Sequence, residues 1–455
     1  MGGREYFTLS SDCFLIKGAL RGALYDLKSG NVFSVDETSA QILERLNFGE
    51  NLSLILGDVD GINKEKAIDY VNALENQGLG SWSAVSTKKE IPSPPDLNKI
   101  LKYVLHLELT TGCNLRCLHC YNESEISKLH NNNEVSLDDW RRVITEAYQI
   151  GCRRVQFIGG EPFLKWKLMR ELIPFAYDIG YISIEVSTNG TLITKKDLNF
   201  LKEYNVKLAF SFYSYKPQIH DLITTKKGSW KKTLQVIRLV LKMRIPLRIS
   251  VVEMRQNKKE IGETINFLKF LGVEKVRSGL VEPAGRGCNI DLVDCDIFAK
   301  QLLNKPYFAK INKNIFWRNK AGHNCFLEQI SIGAKGDVYP CLEERKISCG
   351  NIKFTSFVDI FFSENAKKFQ GLNKDKIEIC KDCEYRYCCF DCRVRAKDFL
   401  ENDFYPKPWW CHYDPYTGKW ADKETNMKGG ENHGRERTGA YPGNKRQGWR
   451  WHVRT

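Results

Sequence analysis

The chain has 455 residues, 69 of them basic and 55 acidic, for a formal net charge of +14. That length allows two to four domains with cores of their own, and the apolar and charged shares are those of an ordinary globular protein. No apolar run reaches the roughly 18 residues that a spanning helix needs, and the opening "MGGREYFTLSSDC" lacks the basic-then-apolar order of a signal peptide, so a cytoplasmic protein without a membrane partner is expected.

Residues 1–95 read as a small α+β module and its linker. "DCFLIKGALRGALYDLKSGNVFSV" has short alternating runs divided by glycine turns, the pattern of a β-meander or hairpin. "DETSAQILERLNFG" then starts with an acidic turn and puts Ile42, Leu43 and Leu46 on one helical face. "NKEKAIDYVNALENQGLG" repeats that pattern with Ala67, Tyr70, Val71 and Leu74, and "STKKEIPSPPDLNK" is a Pro- and Lys-rich linker.

Over residues 96–315 the hydrophobic period switches repeatedly between two and 3.6. "VLHLEL" is a strand, and "SLDDWRRVITEAYQIG" a helix with Ser136 as N-cap and Asp139 three residues on. The strands "VQFIGG", "ISIEVST", "KLAFSFYS", "PLRISVVEM" and "KVRSGLVEP" follow, each separated from the next by a helical segment. Six β/α units in series predict an α/β fold with a parallel sheet, open and doubly wound or a partial barrel. In either, ligands gather at the C-terminal ends of the strands.

Sixteen cysteines are too many for chance packing, and a reducing compartment makes disulfides a poor account of them. Cys13, Cys152, Cys288 and Cys295 stand apart and read as small buried hydrophobes. Cys113, Cys117 and Cys120 form C-x3-C-x2-C directly after the first strand of the series. Thiolates select zinc or iron–sulfur clusters. A structural zinc site takes four protein ligands, and His119 lies too close in sequence to its cysteine neighbours to reach the same ion easily. A [4Fe–4S] cluster on three thiols would leave one iron open.

This triplet resembles the radical S-adenosylmethionine (SAM) superfamily. The resemblance implies a partial (β/α)6 barrel, chelation of the open iron by SAM, and cleavage of SAM to a 5′-deoxyadenosyl radical that abstracts hydrogen from substrate. "GGEP" after the second strand (Gly159, Gly160, Glu161, Pro162) matches the turn that binds the SAM amino group. By the same resemblance Ser187 and Asn189 of "STNG", and Ser211, meet the ribose and carboxylate. Arg248 could pair the carboxylate or, as a plain barrel residue, a buried acid. "EPAGRG" (282–287) matches the loop near the adenine.

The later cysteines are Cys325, Cys341, Cys349, Cys380, Cys383, Cys388, Cys389, Cys392 and Cys411. Two zinc ribbons would account for paired C-x2-C units, but the pattern resembles a SPASM domain over 316–415, with two auxiliary [4Fe–4S] clusters and three clusters in all. That resemblance assigns Cys325, Cys341 and Cys392 to the first auxiliary cluster, completed by Cys349 or left with an open iron. It assigns Cys380, Cys383, Cys389 and Cys411 to the second, with Cys388 as the alternative to Cys389.

The first module is similar to the winged-helix leader-peptide-binding domain of enzymes that mature ribosomally made peptides (RiPPs), in which the leader adds as a strand to the sheet edge. "SFYSYKPQIHDLITTKKGSW" (211–230) resembles thioether-forming maturases of the sactipeptide and ranthipeptide type. The reading is therefore a radical SAM/SPASM maturase that closes Cys thioethers on a precursor peptide, reduced by a flavodoxin- or ferredoxin-type donor. Carbon–carbon cross-linking, epimerisation, and haem or tRNA modification are the alternatives within enzymes. A metal-cluster nucleic-acid-binding protein is the alternative outside them, because residues 416–455 read as a basic, disordered tail. The sequence names no catalytic acid or base.

Overall fold

A computed structural model describes residues 5–58, 64–90, 92–96, 103–128, 134–282, 284–293, 307–308, 310–397 and 403–420. The basic stretch 421–455, Cys295 and Pro283 lie outside the described residues. Among the described residues no helix is long and apolar enough to cross a membrane.

The first module has two small sheets. Strands β2 (Cys13–Lys17), β3 (Gly22–Asp26) and β4 (Asn31–Val35) form an antiparallel meander, and β1 (Tyr6–Leu9) pairs with β5 (Gly80–Ser83). Between them run α1 (Glu37–Asn47), α2 (Leu52–Asp58) and α3 (Lys64–Asn76). Ile42, Leu43, Leu46, Val71 and Leu74 bury the expected faces, while Tyr70 is only half-buried.

The second face of the meander does not look outward. Phe14, Ile16, Ala23, Tyr25 and Leu27 form a separate core with Ile311, Phe316, Trp317, Tyr387 and Cys388 of the cysteine-rich region. Phe14 stacks on Phe316 with ring centres 4.9 Å apart. The β2–β3 turn closes the junction, where the Ala19 amide donates to Asp382 O at 2.7 Å and Arg386 donates to Lys17 O at 2.8 Å.

The barrel strands run β6 (Val104–Glu108), β7 (Arg154–Ile158), β8 (Ser183–Thr188), β9 (Lys207–Ser211), β10 (Leu247–Glu253) and β11 (Lys275–Leu280). Each is parallel to the next, as the six β/α units predicted. The helices between them are α4 (Leu137–Gln149), α5 (Trp166–Ile179), α6 (Lys195–Glu203), α7 (Pro217–Thr224), α8 (Ser229–Lys242) and α9 (Ile261–Phe270). Ser136 caps α4 as expected, its hydroxyl accepting the Asp139 amide at 3.1 Å.

Alternation along the strands separates two faces. Leu105, Leu107, Val155, Phe157, Ile184, Val186, Leu208 and Phe210 are buried in the apolar layer that the helices cover. His106, Gln156, Glu185 and Arg248 share the opposite face, which is polar.

After the short β12 (Tyr307–Phe308) and α10 (Lys313–Ala321), strand β13 (Gln329–Ile332) returns to the sheet and pairs parallel with β6. Strands β14 (Asp337–Tyr339) and β15 (Gly350–Asn351) then extend it to nine strands. Helices α11 (Phe357–Phe361) and α12 (Glu364–Gln370) continue the barrel core, and α13 (Arg393–Ala396) follows β16 (Cys389–Phe390). The hairpin of β17 (Tyr413–Asp414) and β18 (Lys419–Trp420) comes last.

Candidate cluster and cofactor sites

The loop carrying Cys113, Cys117 and Cys120 is held from three sides. From β7 comes the GGEP turn, where Gly160 N donates to Thr110 O at 2.7 Å and Glu161 N to Gly112 O at 2.8 Å. A Cβ on Gly160 would lie 2.1 Å from Gly112 O, so this glycine is needed for contact between two backbones. From α7, Thr224 O accepts the Arg116 amide at 3.3 Å and Ile223 O accepts the Leu118 amide at 2.9 Å. The third side is the loop after β11. Arg286 donates to Cys117 O and to Ser124 O, each at 2.9 Å, and its own amide reaches Cys120 O at 3.0 Å. The left-handed Gly285 makes that approach possible (φ 54°), because a Cβ there would lie 2.3 Å from Tyr121 O.

The three thiols lie within one another's electrostatic reach. Burial pushes the Cys113 thiol up to about 12 and the Cys117 thiol higher still. The Tyr213 hydroxyl lies beside the Cys117 thiol, and the His119 ring meets the Tyr213 ring edge-on at 4.8 Å. Nδ1 of His119 is buried without a hydrogen-bond partner. This donor set fits an iron–sulfur cluster: thiols clustered on one loop, whose high affinity for protons a bound metal would override.

The predicted SAM contacts gather beside this loop. Glu161 is buried and turned inward, accepting from Thr188 Oγ1 at 2.7 Å, the Asn189 amide at 2.8 Å and the Phe163 amide at 3.0 Å. Burial raises its carboxyl to about 7 against the pull of those donors. Asn189 donates to Asn114 Oδ1 at 2.9 Å and lies 3.9 Å from Cys113 Sγ. Ser187 accepts from Gln156 at 2.8 Å, and Ser211 lies beside the Tyr213 hydroxyl. Of the two roles open to Arg248, the structure pairs it with an acid: its guanidinium grips Glu185 at 2.7 and 3.0 Å.

In the C-terminal region the thiols fall into two groups. Cys341 has Cys392 and Cys325 among its charged neighbours. Cys349 is buried in the same apolar cluster as Cys341, its thiol raised by burial with no charged neighbour. Cys380, Cys383, Cys389 and Cys411 line a single cavity together with Lys374 and Lys407. Cys388 points the other way, into the core shared with the first module. Four thiols lining one cavity are the donor type of an iron–sulfur cluster, while among the described residues no group of three or more His, Cys, Asp or Glu side chains is drawn together closely enough to hold a single metal ion.

Three groups that sequence reasoning did not single out tie these sites together. Asp391, buried, meets Lys374 at 2.7 Å, Arg393 more closely, and His323 at 3.6 Å. Burial alone would push its carboxyl up, but the two cations hold it well below the usual range. Lys374 lines the four-thiol cavity and His323 accepts the Cys325 amide at 3.2 Å, so Asp391 bridges the two thiol groups. Arg345, four residues after Cys341, forks onto the buried Glu108 of β6 at 3.2 Å on both arms. Its guanidinium also stacks over Tyr121 and Tyr339. Arg395 of α13 forms a close ion pair with Glu282 of the barrel.

The radical SAM superfamily model matches residues 107–268, and the SPASM iron–sulfur cluster-binding domain model matches 325–384. An AdoMet-dependent heme synthase of Methanosarcina barkeri is 28% identical over 347 residues, covering 68% of this chain and 95% of that protein. The Bacillus subtilis antilisterial bacteriocin subtilosin biosynthesis protein AlbA is 27% identical over 358 residues, covering 73% and 77%. The crystal structure of Streptococcus suis SuiB bound to precursor peptide SuiA shares the fold with a TM-score of 0.53 at 16% identity, over 89% of this chain and 99% of that one.

Proposed function

We propose that this chain, a radical SAM enzyme carrying a SPASM domain, matures a ribosomally made precursor peptide by forming Cys thioether cross-links. The observation that carries the reading is the docking of the leader-binding-like first module onto the region of the four-thiol cavity. The similarity to a bacteriocin biosynthesis protein over 73% of the chain supports it.

In this reading Cys113, Cys117 and Cys120 hold the first cluster. SAM lies against Gly159, Gly160, Glu161, Ser187, Asn189 and Ser211, near Arg248. Cys325, Cys341 and Cys392 hold one auxiliary cluster with three thiols. Cys349 stays in the core, and one iron position is left for a substrate thiolate. Cys380, Cys383, Cys389 and Cys411 hold the other. When bound, the reduced cluster and SAM supply a 5′-deoxyadenosyl radical that takes a hydrogen atom from the peptide. The chain's own work is orientation and exclusion of water. Arg286 and the GGEP turn fix the cysteine loop, and Arg345 and Arg395 fix the auxiliary domain over the barrel.

The test is anaerobic iron and sulfide analysis with EPR, on the intact chain and on a variant with Cys113, Cys117 and Cys120 changed to Ala. Roughly twelve irons should fall to eight, with loss of 5′-deoxyadenosine formation. Zinc in place of iron, or no SAM cleavage by the intact chain, would end the reading. With a Cys-containing precursor peptide, a mass loss of two hydrogens per thioether is expected, dependent on the leader and on residues 1–95.

A tetrapyrrole substrate is the second reading, favoured by 28% identity to a heme synthase. That match leaves about a third of this chain without a counterpart. Tight binding of a porphyrin, with no effect of any leader peptide, would favour it.

A further inference from the structure

A line of polar side chains, most of them hydrogen-bonded to the next, crosses the polar face of the barrel sheet and ends on a thiol of the cysteine-rich region. It starts at Arg248 on β10, which holds the Glu185 carboxylate. Glu185 accepts from Gln156 Nε2 at 2.5 Å. That carboxylate fixes the Gln156 amide with its NH2 toward Glu185, so Gln156 Oε1 faces His106 Nδ1 at 2.6 Å and accepts from it. Gln329 stands next to the same imidazole, on the same face of the sheet. Gln329 Nε2 then lies 3.7 Å from Cys341 Sγ and donates to it.

The topology makes this meeting possible. Strand β13 is parallel to β6, with Gln329 opposite Val104 and Ser331 opposite His106. Gln329 therefore stands on the same face as His106, one residue pair along the strand. A strand of the cysteine-rich region thus supplies a polar side chain to the barrel interior, and the chain reaches Cys341 nine residues after β13 ends. Burial keeps the His106 ring neutral, so it serves as a fixed dipole.

We propose that Gln329 and His106 are positioning residues for the first auxiliary site. Gln329 donates to Cys341 Sγ, His106 packs beside Gln329 on the same face, and the barrel interior thereby sets the reduction potential of the cluster that Cys341 holds. A hydrogen bond to a ligand sulfur stabilises the more negative, reduced form and raises the potential. The inference rests on the reading of Cys341 as a cluster ligand.

The experiment is an EPR-monitored redox titration of the reconstituted chain, with iron content measured on every sample. Gln329→Glu keeps the volume and replaces the donor by an acceptor. Gln329→Leu removes the donor without adding charge. Both should move one auxiliary signal to lower potential, so that its reduced fraction at the parent midpoint falls about fivefold. The signal of the cluster on Cys113, Cys117 and Cys120 should stay in place. His106→Leu should move the same signal in the same direction by less.

An unmoved midpoint in both Gln329 variants at full iron content overturns the proposal. So does loss of a cluster from both, which would make Gln329 an assembly residue. Failure of the underlying reading is separate: a Cys341→Ala chain that keeps all its iron would show that Cys341 is no ligand.

Discussion

The hydroxyl of Tyr25 donates to Glu384 O at 2.9 Å, and the same oxygen lies 3.6 Å from Cys388 Sγ. Tyr25 belongs to the first module and is fully buried, so one side chain joins that module to the segment bearing Cys380, Cys383 and Cys389. A neighbouring pair of cysteines is thereby divided. Cys389 starts β16 and faces the four-thiol cavity, whereas Cys388 serves as packing under Tyr25. Cys389→Ala is expected to lose roughly four irons, and Cys388→Ala to keep them. Tyr25→Phe leaves a buried carbonyl without its donor and should cost about 1–2 kcal/mol in chemical denaturation. Equal iron in the two cysteine variants would reverse the assignment.

Arg345 and Glu108 link the cysteine-rich region to the first barrel strand. Glu108 is 3% exposed, and its carboxylate also accepts from Asn122 in the loop after Cys120. Removing only the cation strands a buried acid, a loss of about 3 kcal/mol or more. Arg345→Met should therefore destabilise strongly, and adding Glu108→Gln should recover part of the loss. Additive losses across this double-mutant cycle would show that the pair is not coupled.

How much of this was legible in advance depends on the range of each signal. The six β/α units come from local periodicity, and the cluster loop from spacing within eight residues, so both can be read directly. The parallel pairing of β13 with β6 joins segments more than two hundred residues apart, and nothing in local pattern sets that register. Arg286 lay inside a motif whose resemblance pointed to adenine, but its side chain grips Cys117 O and Ser124 O. The glycines of GGEP also let two backbones meet, since a Cβ on Gly159 or Gly160 would face Thr110 or Gly112. Arg248 could not be placed because its partner, Glu185, sits in a strand whose alternation shows a polar face but not what that face holds. Tyr25, Asp391 and Gln329 carry no motif, and only their tertiary neighbours give them a role.

Buried histidines contribute a pH dependence, His106 and His220 among them. Burial lowers His106 and His220 from 6.5 to about 4. Between those values the unfolded chain binds protons that the folded chain does not. Stability from these rings is complete above pH 6.5 and falls as pH drops toward 4. From pH 6.5 to 5 each ring should cost roughly 2 kcal/mol. The buried Glu161 carboxyl, raised to about 7, takes up a proton in the folded chain over the same interval and offsets one ring, so the check is a difference: denaturant titrations of the reconstituted parent and of His220→Asn should diverge by roughly 2 kcal/mol between pH 6.5 and 5. Parallel profiles would mean that His220 is not buried in its neutral form.

Gly160 is a close contact between the GGEP turn and the cysteine loop. Its amide bonds Thr110 O, and a methyl group there would collide with Gly112 O, an atom that cannot swing aside as a flexible side chain would. Gly112 begins the turn into Cys113, so relief of the clash must displace the first thiol. Gly160→Ala is expected to lower the iron of the Cys113, Cys117 and Cys120 site and SAM cleavage together, leaving the auxiliary EPR signals intact. Gly262→Ala is the control, because its added Cβ meets nothing within 4 Å. Helix propensity in α9 should make that change neutral or slightly stabilising. If Gly160→Ala keeps full iron and full cleavage, the contact between the GGEP turn and residues 110–112 does not hold the loop, and the Arg286 side must do so alone.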